Sequence, residues 1–330
     1  MTAPPPRVSI AMTTFDGARY VEAQLESFAS QSRLPDQLVV CDDGSRDDTM
    51  DRVRAFAARA PFAVHAEQNE THLETTPNFG KAVSLCDGDV IFLADQDDLW
   101  LPDKIESVVD VFSADPTVGA VFHNGRVVDE SGRPVNYELW DSLWFSEAER
   151  KNVRTGRALE VFAKHVVAAG TTLAFRGRYR DLVLPFPDLH DCHDAWVSFL
   201  VTAVSGVRIV ERNLIDYRLH GANQFGLQRF GLREQLDKAR WQLDAGIFSH
   251  NVRFFRAARE RLAAQTDPDR QPALATLDLI DAKIAHARAR DAMSSRLLER
   301  LPTIAGEVRS RGYWRFSYGW KSVAQDVLLR

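Results

Sequence analysis

The sequence predicts an α/β protein, an open and mostly parallel sheet with flanking helices, followed by a helical region. Three observations carry this. Short β-branched runs alternate with helix-length amphipathic stretches through the first third of the chain. Residues 90–94 are apolar throughout, as a strand covered on both faces must be. After Gly226 the periodicity is helical alone.

Taken in order, the pattern predicts strands over residues 8–12, 38–41, 62–66, 90–94 and 119–122, with helices over 20–30, 49–60, 77–86 and 102–112 between them. Pro77 and Pro102 suit helix starts, where a missing N–H costs nothing. From 124 to 164 the period weakens around a turn at Ser131-Gly132-Arg133-Pro134 and several aromatics, and this stretch is read as an acceptor-side insertion. Order returns with strands over 169–175, 207–210 and 215–219 and a helix over 194–204.

The 330 residues, 45% hydrophobic and 26% charged, suffice for one large domain and a smaller appendage. A net charge of −5 argues against coating a polyanion, so nucleic acid is set aside as a partner. Cys41, Cys86 and Cys192 are scattered, which suggests neither a disulfide framework nor a thiolate zinc site and fits a reducing cytoplasm. No segment approaches the roughly 20 apolar residues that a spanning helix needs, and the first residues lack the pattern of an export signal. A cytoplasmic protein is expected.

In such sheets ligands sit beyond the carboxyl ends of the strands. Two loops there are acidic: Asp42-Asp43-Gly44-Ser45 after the second strand and Asp95-Gln96-Asp97-Asp98 after the wholly apolar one. Asp95 and Asp97, one residue apart, can share a hard divalent cation, Mn²⁺ or Mg²⁺, with substrate phosphates. An acidic turn left to solvent has the same sequence. Asp43-Gly44 equally suits a plain turn, and Asp47 or Asp48 the cap of the following helix. Together with Thr13-Thr14-Phe15-Asp16-Gly17 after the first strand, however, three polar loops converge on one edge, as a nucleotide pocket requires. Further on, His190-Asp191-Cys192-His193-Asp194 reads as a zinc site, as a capped helix start, or as the source of a general base. His220 is a structural histidine or a ligand. There is no GxGxxG after the first strand and no GxxxxGK[ST], which removes the usual dehydrogenase and P-loop signals.

Seven motifs in order resemble family 2 glycosyltransferases with a GT-A fold, in the bacterial rhamnosyltransferase-like branch. They begin with Val8-Ser9-Ile10-Ala11-Met12-Thr13-Thr14-Phe15, Cys41-Asp42-Asp43-Gly44-Ser45 and Pro77-Asn78-Phe79. The next is Asp95-Gln96-Asp97-Asp98-Leu99-Trp100-Leu101-Pro102-Asp103-Lys104. Ala169-Gly170-Thr171-Thr172, His193-Asp194-Ala195-Trp196 and Tyr217-Arg218-Leu219-His220-Gly221 complete the set. The resemblance implies a catalytic domain over 1–226, with a nucleotide-sugar half to about 124 and an acceptor half over 125–226, and a helical region over 227–330.

It also implies roles. Thr13, Thr14, Phe15, Asp42, Asp43 and Asn78 would bind the nucleotide-sugar, Asp95 the ribose or the metal, Asp97 the metal, and His220 the metal or diphosphate. Asp194 would be the general base, with Asp191 in reserve, and Trp196 and Thr171 would lie on the acceptor side. The activity implied is metal-dependent, inverting transfer from dTDP-rhamnose or a UDP-hexose to a hydroxyl of a glycan or lipid-linked acceptor, in O-antigen or other surface polysaccharide synthesis.

Processive synthases of the superfamily carry QxxRW; here Gln235 and Arg240-Trp241 have the wrong spacing, so single-sugar addition is expected. Residues 70–76 are more polar than the glycine-containing loop of the family. A sugar nucleotidyltransferase would show a Gly-rich basic loop after the first strand, where only one glycine stands between Thr13 and Arg19. A nucleotide-sugar-binding scaffold would need neither Asp97 nor Asp194.

Residues 281–330 hold ten Lys or Arg against five Asp or Glu, so residues 1–280 carry −10. With Tyr313, Trp314, Phe316, Tyr318 and Trp320, this basic tail either packs its aromatics inward or rests peripherally on the inner face of an anionic membrane.

Overall fold

The computed structural model describes residues 5–189, 193–221, 240, 241 and 243–329. The chain divides into two compact units: Met1–Gly156 with Val167–Leu227, and Arg157–Val166 with Gln228–Arg330. Residues 157–166 fall within the catalytic domain expected over 1–226, but their short helix groups with the C-terminal unit.

The first unit is built on one nine-stranded sheet. Its strands are β1 (Val8–Thr14), β2 (Gln37–Asp42), β3 (Ala63–Gln68), β4 (Val90–Ala94), β5 (Leu99–Trp100), β6 (Val118–Val128), β7 (Pro134–Glu138), β8 (Leu173–Arg176) and β9 (Gly206–Arg218). The order is β3-β2-β1-β4-β8-β6-β9-β5, with β7 beside β6. β3, β2, β1 and β4 run parallel, and β8 enters antiparallel between β4 and β6. Helices α1 (Val21–Ala29), α2 (Thr49–Ala57), α3 (Thr75–Ser84) and α4 (Lys104–Ala114) follow β1, β2, β3 and β5. They are followed by α5 (Leu139–Ser142), α6 (Glu147–Arg154), α7 (Ala158–Phe162), α8 (Arg180–Val183) and α9 (His193–Val204).

The apolar stripes of α1, α2 and α4 bury Leu25, Phe28, Val53, Phe56, Ile105, Val108 and Phe112 against one face of the sheet, in one core with Ile10, Met12, Leu38, Val40 and Phe92. β4 is fully buried along its length, which is why its sequence shows no alternation. Because β1, β2 and β4 are parallel and in register, Ala94 pairs beside Met12, and Thr14 beside Asp42. Their following loops therefore open on one edge of the sheet.

Two expected elements differ. The strand expected over 169–175 starts at Leu173, because residues Gly170–Thr172 form a 3₁₀ turn closed by the Thr172 N–H and hydroxyl donating to the Ala169 carbonyl, each at 2.8 Å. The two strands expected over 207–210 and 215–219 are one, β9, whose polar middle at Glu211-Arg212-Asn213 coincides with register shifts against β6 that interrupt the alternation.

The second unit is helical: α7 with α10 (Ile247–Ala263), α11 (Leu274–Asp291), α12 (Leu297–Arg309), α13 (Gly312–Phe316) and α14 (Trp320–Leu328). Tyr313 and Phe316 are buried within it, as packing inward requires, whereas Trp314, Tyr318 and Trp320 are exposed. Among the described residues no helix is long and apolar enough to cross a membrane.

Candidate active site

The three loops expected to converge are tied to one another by side chains. The Gln96 amide accepts from the Phe15 N–H and donates to the Phe15 carbonyl, both at 2.9 Å, and so clamps the loop after β1 to the loop after β4. A Cβ on Gly17 would collide with that amide, which explains the glycine. Asp16 N–H donates to Ser45 Oγ at 2.8 Å, and Arg46 N–H donates to the Asp16 carboxylate at 2.8 Å, joining the loops after β1 and β2. Asp47, not Asp48, serves the start of α2: its carboxylate accepts from Thr49 N–H and from Ala18 N–H, each at 3.0 Å.

Within this frame Asp42 and Asp43 organise backbone. Asp42, fully buried, accepts from the Thr14 hydroxyl at 2.7 Å, the Ser45 N–H at 2.8 Å and the Ser45 hydroxyl. Asp43 accepts from Asn69 at 3.0 Å, from the N–H groups of Leu73 and Glu74 at 2.7 and 2.9 Å, and lies 2.9 Å from His72 Nδ1. It thereby fixes the polar segment before α3. Asn78 donates to the Cys41 carbonyl and accepts from Asn69, both at 2.9 Å, and is 2% exposed. Thr13 is half-buried, and Phe15 is exposed with its ring 4.8 Å from that of His72.

The loop after β4 gathers most of the titratable side chains at this edge. Asp97 and His220 meet, with His220 Nε2 2.7 Å from Asp97 Oδ2. His220 stacks on Tyr20 at 4.7 Å, and Tyr20 is held by Glu130 at 3.1 Å. Arg218, on the last residue of β9, donates through Nε to the Asp97 carbonyl at 3.1 Å, and its own N–H donates to Asp98 Oδ1 at 3.2 Å. Burial, then the neighbouring charges of Asp98, Asp97 and Asp194, holds the Asp95 carboxyl well above the usual carboxylate range. Burial and Asp97 push Asp98 up to about 7. Tyr217 is raised well above its ordinary value by burial and by the same four carboxylates. Asp194, in the first turn of α9, thus shares one electrostatic site with the Asp95-Gln96-Asp97 turn, although it is about a hundred residues away.

One buried cation faces this cluster. Lys104, 1% exposed at the first residue of α4, donates to the Thr171 carbonyl at 2.7 Å, and its ammonium sits 3.4 Å from the centroid of the Trp100 ring. Burial lowers its pKa well below the ordinary value, while Asp98 and Asp95 oppose that drop. The Thr171 hydroxyl lies at Asp98. Gly170 lets α9 approach: a Cβ there would stand 2.7 Å from His193 Nε2 and 3.6 Å from the Asp194 Cβ.

Asp98, Lys104, Arg218, Tyr217, Tyr20 and Gln96 were not singled out as site residues from sequence. Asp98 and Lys104 lie inside the motif that supplied Asp95 and Asp97, and Tyr217 and Arg218 precede His220, so proximity in the motif was the available signal. Trp196, expected on the acceptor side, is instead 1% exposed in the core, its indole N–H donating to the Val183 carbonyl at 2.8 Å. The helix that carries it is apolar almost all round, which draws the indole inward. Asp191 lies outside the described residues.

Asp97 and His220 offer one hard oxygen and one imidazole nitrogen, a donor pair that suits Mn²⁺ or Mg²⁺ if the remaining positions are taken by diphosphate oxygens and water. Among the described residues no three His, Cys, Asp or Glu side chains form a preassembled metal cage.

A Rossmann-like sheet whose carboxyl edge gathers these carboxylates defines the GT-A class of α/β fold. The family model for glycosyl transferase family 2 matches residues 9–182, more than half of the chain. The chain belongs to that family. An uncharacterized glycosyltransferase from a Nostoc species is 24% identical over 224 residues, 66% of each chain. Chondroitin synthase of Escherichia coli is 30% identical over 131 residues, 40% of this chain and 19% of that one. The matched segment thus spans just under two thirds of the first relative and about a fifth of the second. Among solved structures, TarS of S. aureus in complex with UDP superposes with a TM-score of 0.53 over 85% of this chain and 71% of that one, at 15% identity. A mannosyltransferase from Pyrobaculum calidifontis, in complex with GDP-Man and Mn²⁺, gives 0.51 over 99% and 86%, at 20% identity. At these identities the two structures show the fold.

Proposed function

We propose that the protein is a metal-assisted, inverting and non-processive glycosyltransferase that moves one sugar from a nucleotide-diphospho-sugar to a hydroxyl of a glycan or lipid-linked acceptor, in the assembly of a bacterial surface polysaccharide. The observation that carries the reading is the joining of Asp97 to His220 in the same carboxylate cluster as Asp194. The nucleotide-sugar and Mn²⁺ held by solved neighbours of the fold support it. dTDP-rhamnose and UDP-hexoses are the donors to test first.

Asp97 and His220 would hold the ion. When bound, a divalent ion neutralises charge on the departing diphosphate. Asp42 and Asp43 keep the loops that face the base and ribose in shape, and the Gln96 clamp holds the loop after β1 to the loop after β4. Asp194 accepts the acceptor's hydroxyl proton while that oxygen forms the new bond to the anomeric carbon. The bond to the diphosphate oxygen breaks on the opposite face, and its electron pair leaves with the nucleoside diphosphate. Single displacement inverts the anomeric centre. A protein with these roles works where nucleotide-sugars are made, in the cytoplasm.

The test is nucleoside diphosphate release from a panel of nucleotide-sugars with Mn²⁺ or Mg²⁺, in the wild type, Asp97→Ala and Asp194→Asn. Metal-dependent release from one donor, lost in both variants while circular dichroism is unchanged, is the expected result. Donor binding without release over a broad acceptor panel would favour a binding scaffold. Pyrophosphate release from a nucleoside triphosphate and a sugar phosphate would favour a nucleotidyltransferase.

A further inference from the structure

In the helical unit two helices that pack against each other, α12 and α14, expose apolar side chains while burying charged ones. On α14 the residues at i, i+4 and i+8, Trp320, Ala324 and Leu328, are exposed, Trp320 by 68% and Leu328 by 75%. The inner face of the same helix holds Ser322 and Asp326, and Asp326 forms a two-pronged pair with the buried Arg290 at 2.7 and 2.9 Å. On α12 the exposed residues Leu298, Leu301 and Ala305 follow i, i+3 and i+7, with Leu298 80% exposed, whereas Arg300 is buried beside Ile304 and donates to the Val327 carbonyl at 2.9 Å. Trp314 joins the outer surface through an edge-on contact with Trp320 at 5.2 Å.

A helix in water gains most by turning its apolar stripe inward. Two neighbouring helices that turn arginine and aspartate inward and leucine and tryptophan outward are suited to an apolar phase on that side, and an apolar patch of this kind marks an interaction surface. Its charge selects the partner. Arg296, Arg309, Arg311, Arg315 and Lys321 are all exposed on the same helices and the turns between them, and residues 296–321 hold six Lys or Arg against two Asp or Glu. Apolar side chains with an exposed basic fringe match an anionic lipid surface, where aromatic and leucine side chains enter the headgroup region and cations meet lipid phosphates.

We propose that the outer faces of α12 and α14 dock on an anionic bilayer. This deepens the transferase reading, on which it rests for its purpose, because it would bring the enzyme to lipid-linked acceptors.

The experiment is flotation of the full chain with vesicles of phosphatidylglycerol and phosphatidylcholine, and of phosphatidylcholine alone, at low and high salt. The variants are Trp320→Ser/Leu328→Ser and Arg311→Glu/Arg315→Glu, with circular dichroism to verify folding. The expected result is binding to the anionic vesicles that weakens roughly tenfold or more in either double variant and roughly tenfold from low to high salt. Absence of binding by the folded wild type at low salt overturns the proposal, as does binding that both variants retain. A dimer seen by light scattering and dissociated by Trp320→Ser/Leu328→Ser, without vesicle binding, assigns the surface to a second copy of the chain and also overturns it. Nucleoside diphosphate release measured without lipid separates the two readings: vesicle binding with no release from any donor sinks the transferase and leaves the surface standing, and release with no vesicle binding does the reverse.

Discussion

Replacing Lys283 by methionine should stabilise the helical unit. Lys283 is wholly enclosed between α10, α11 and α13; its ammonium donates to the Phe316 carbonyl at 3.0 Å and lies 5.1 Å from the centre of the Phe255 ring. Burial, assisted by the nearby Arg290 charge, lowers its pKa from 10.5 to about 7. At about 1.4 kcal/mol per tenfold change, that drop corresponds to roughly 5 kcal/mol. The sign follows from proton uptake. Between pH 7 and 10.5 the unfolded lysine holds its proton and the folded one does not, so stability rises with pH across this window and falls to its minimum below it. Methionine fills similar volume without a charge. It leaves the Phe316 carbonyl without this donor, a loss of about 1–2 kcal/mol, so the net gain near pH 7 should be about 3–4 kcal/mol. Hydrogen exchange read on peptides of α10 and α11 reports this unit separately from the first. Opening free energy should rise in the variant near pH 7, and its increase between neutral and alkaline pH should disappear. Lower protection in the variant near pH 7, or the same pH dependence in both proteins, would refute the reasoning.

Three further substitutions test other parts of the molecule. Asp326→Ala strands the buried Arg290 guanidinium and removes the Tyr313 hydroxyl's partner at 2.7 Å, so it should cost about 3–5 kcal/mol in denaturant unfolding of the helical unit. Gly170→Ala places a methyl 2.7 Å from His193 Nε2, and should cut turnover at least roughly tenfold with donor affinity unchanged, because a displaced α9 start moves Asp194. Gln96→Leu removes both hydrogen bonds of the clamp to Phe15, at about 1 kcal/mol each, and calorimetric titration should show donor affinity falling roughly tenfold to thirtyfold.

The parallel half of the sheet was legible because its signals are local. Residues 90–94 could be read to the residue, since a strand covered on both faces is apolar at every position. β9 was split in two because alternation is a poor guide where a polar stretch meets a register shift. The α6 start was legible in principle: Ser146 and Glu149 form a reciprocal capping box, and S-x-x-E stands in the sequence, but neighbouring aromatics obscured it. Site residues divide along the same line. Asp97 and His220 could be paired from motifs, whereas Lys104 reads as an ordinary surface lysine after a proline turn, and only the fold places Trp100 of β5 and the Thr171 turn around it. Trp196 shows the converse: its motif neighbours suggest the cleft, while the apolar run that follows decides its burial.

The charge of the site gives a reason to expect it to depend on a cation, and that reason is independent of any likeness to other proteins. Asp95, Asp97, Asp98 and Asp194 act on one another, and the buried cations beside them within the described residues are Lys104 and Arg218, two against four. Lys104 is also spent on the Thr171 carbonyl and the Trp100 ring. A buried cluster of carboxylates that outnumbers its cations either takes up protons or takes up a positive ion. Raised carboxyls at Asp95 and Asp98 are the first response. A diphosphate cannot enter such a site alone, since like charges repel; it can enter with a divalent ion that both sides share. Donor and ion should therefore bind cooperatively, each raising the affinity of the other by the same factor. Calorimetric titration of the donor with and without Mn²⁺ measures that factor in the wild type, and Asp97→Ala should reduce it to near one. Donor binding of equal strength with and without Mn²⁺ would mean that the carboxylates are balanced by some group other than the ion, and the metal-assisted mechanism would fall.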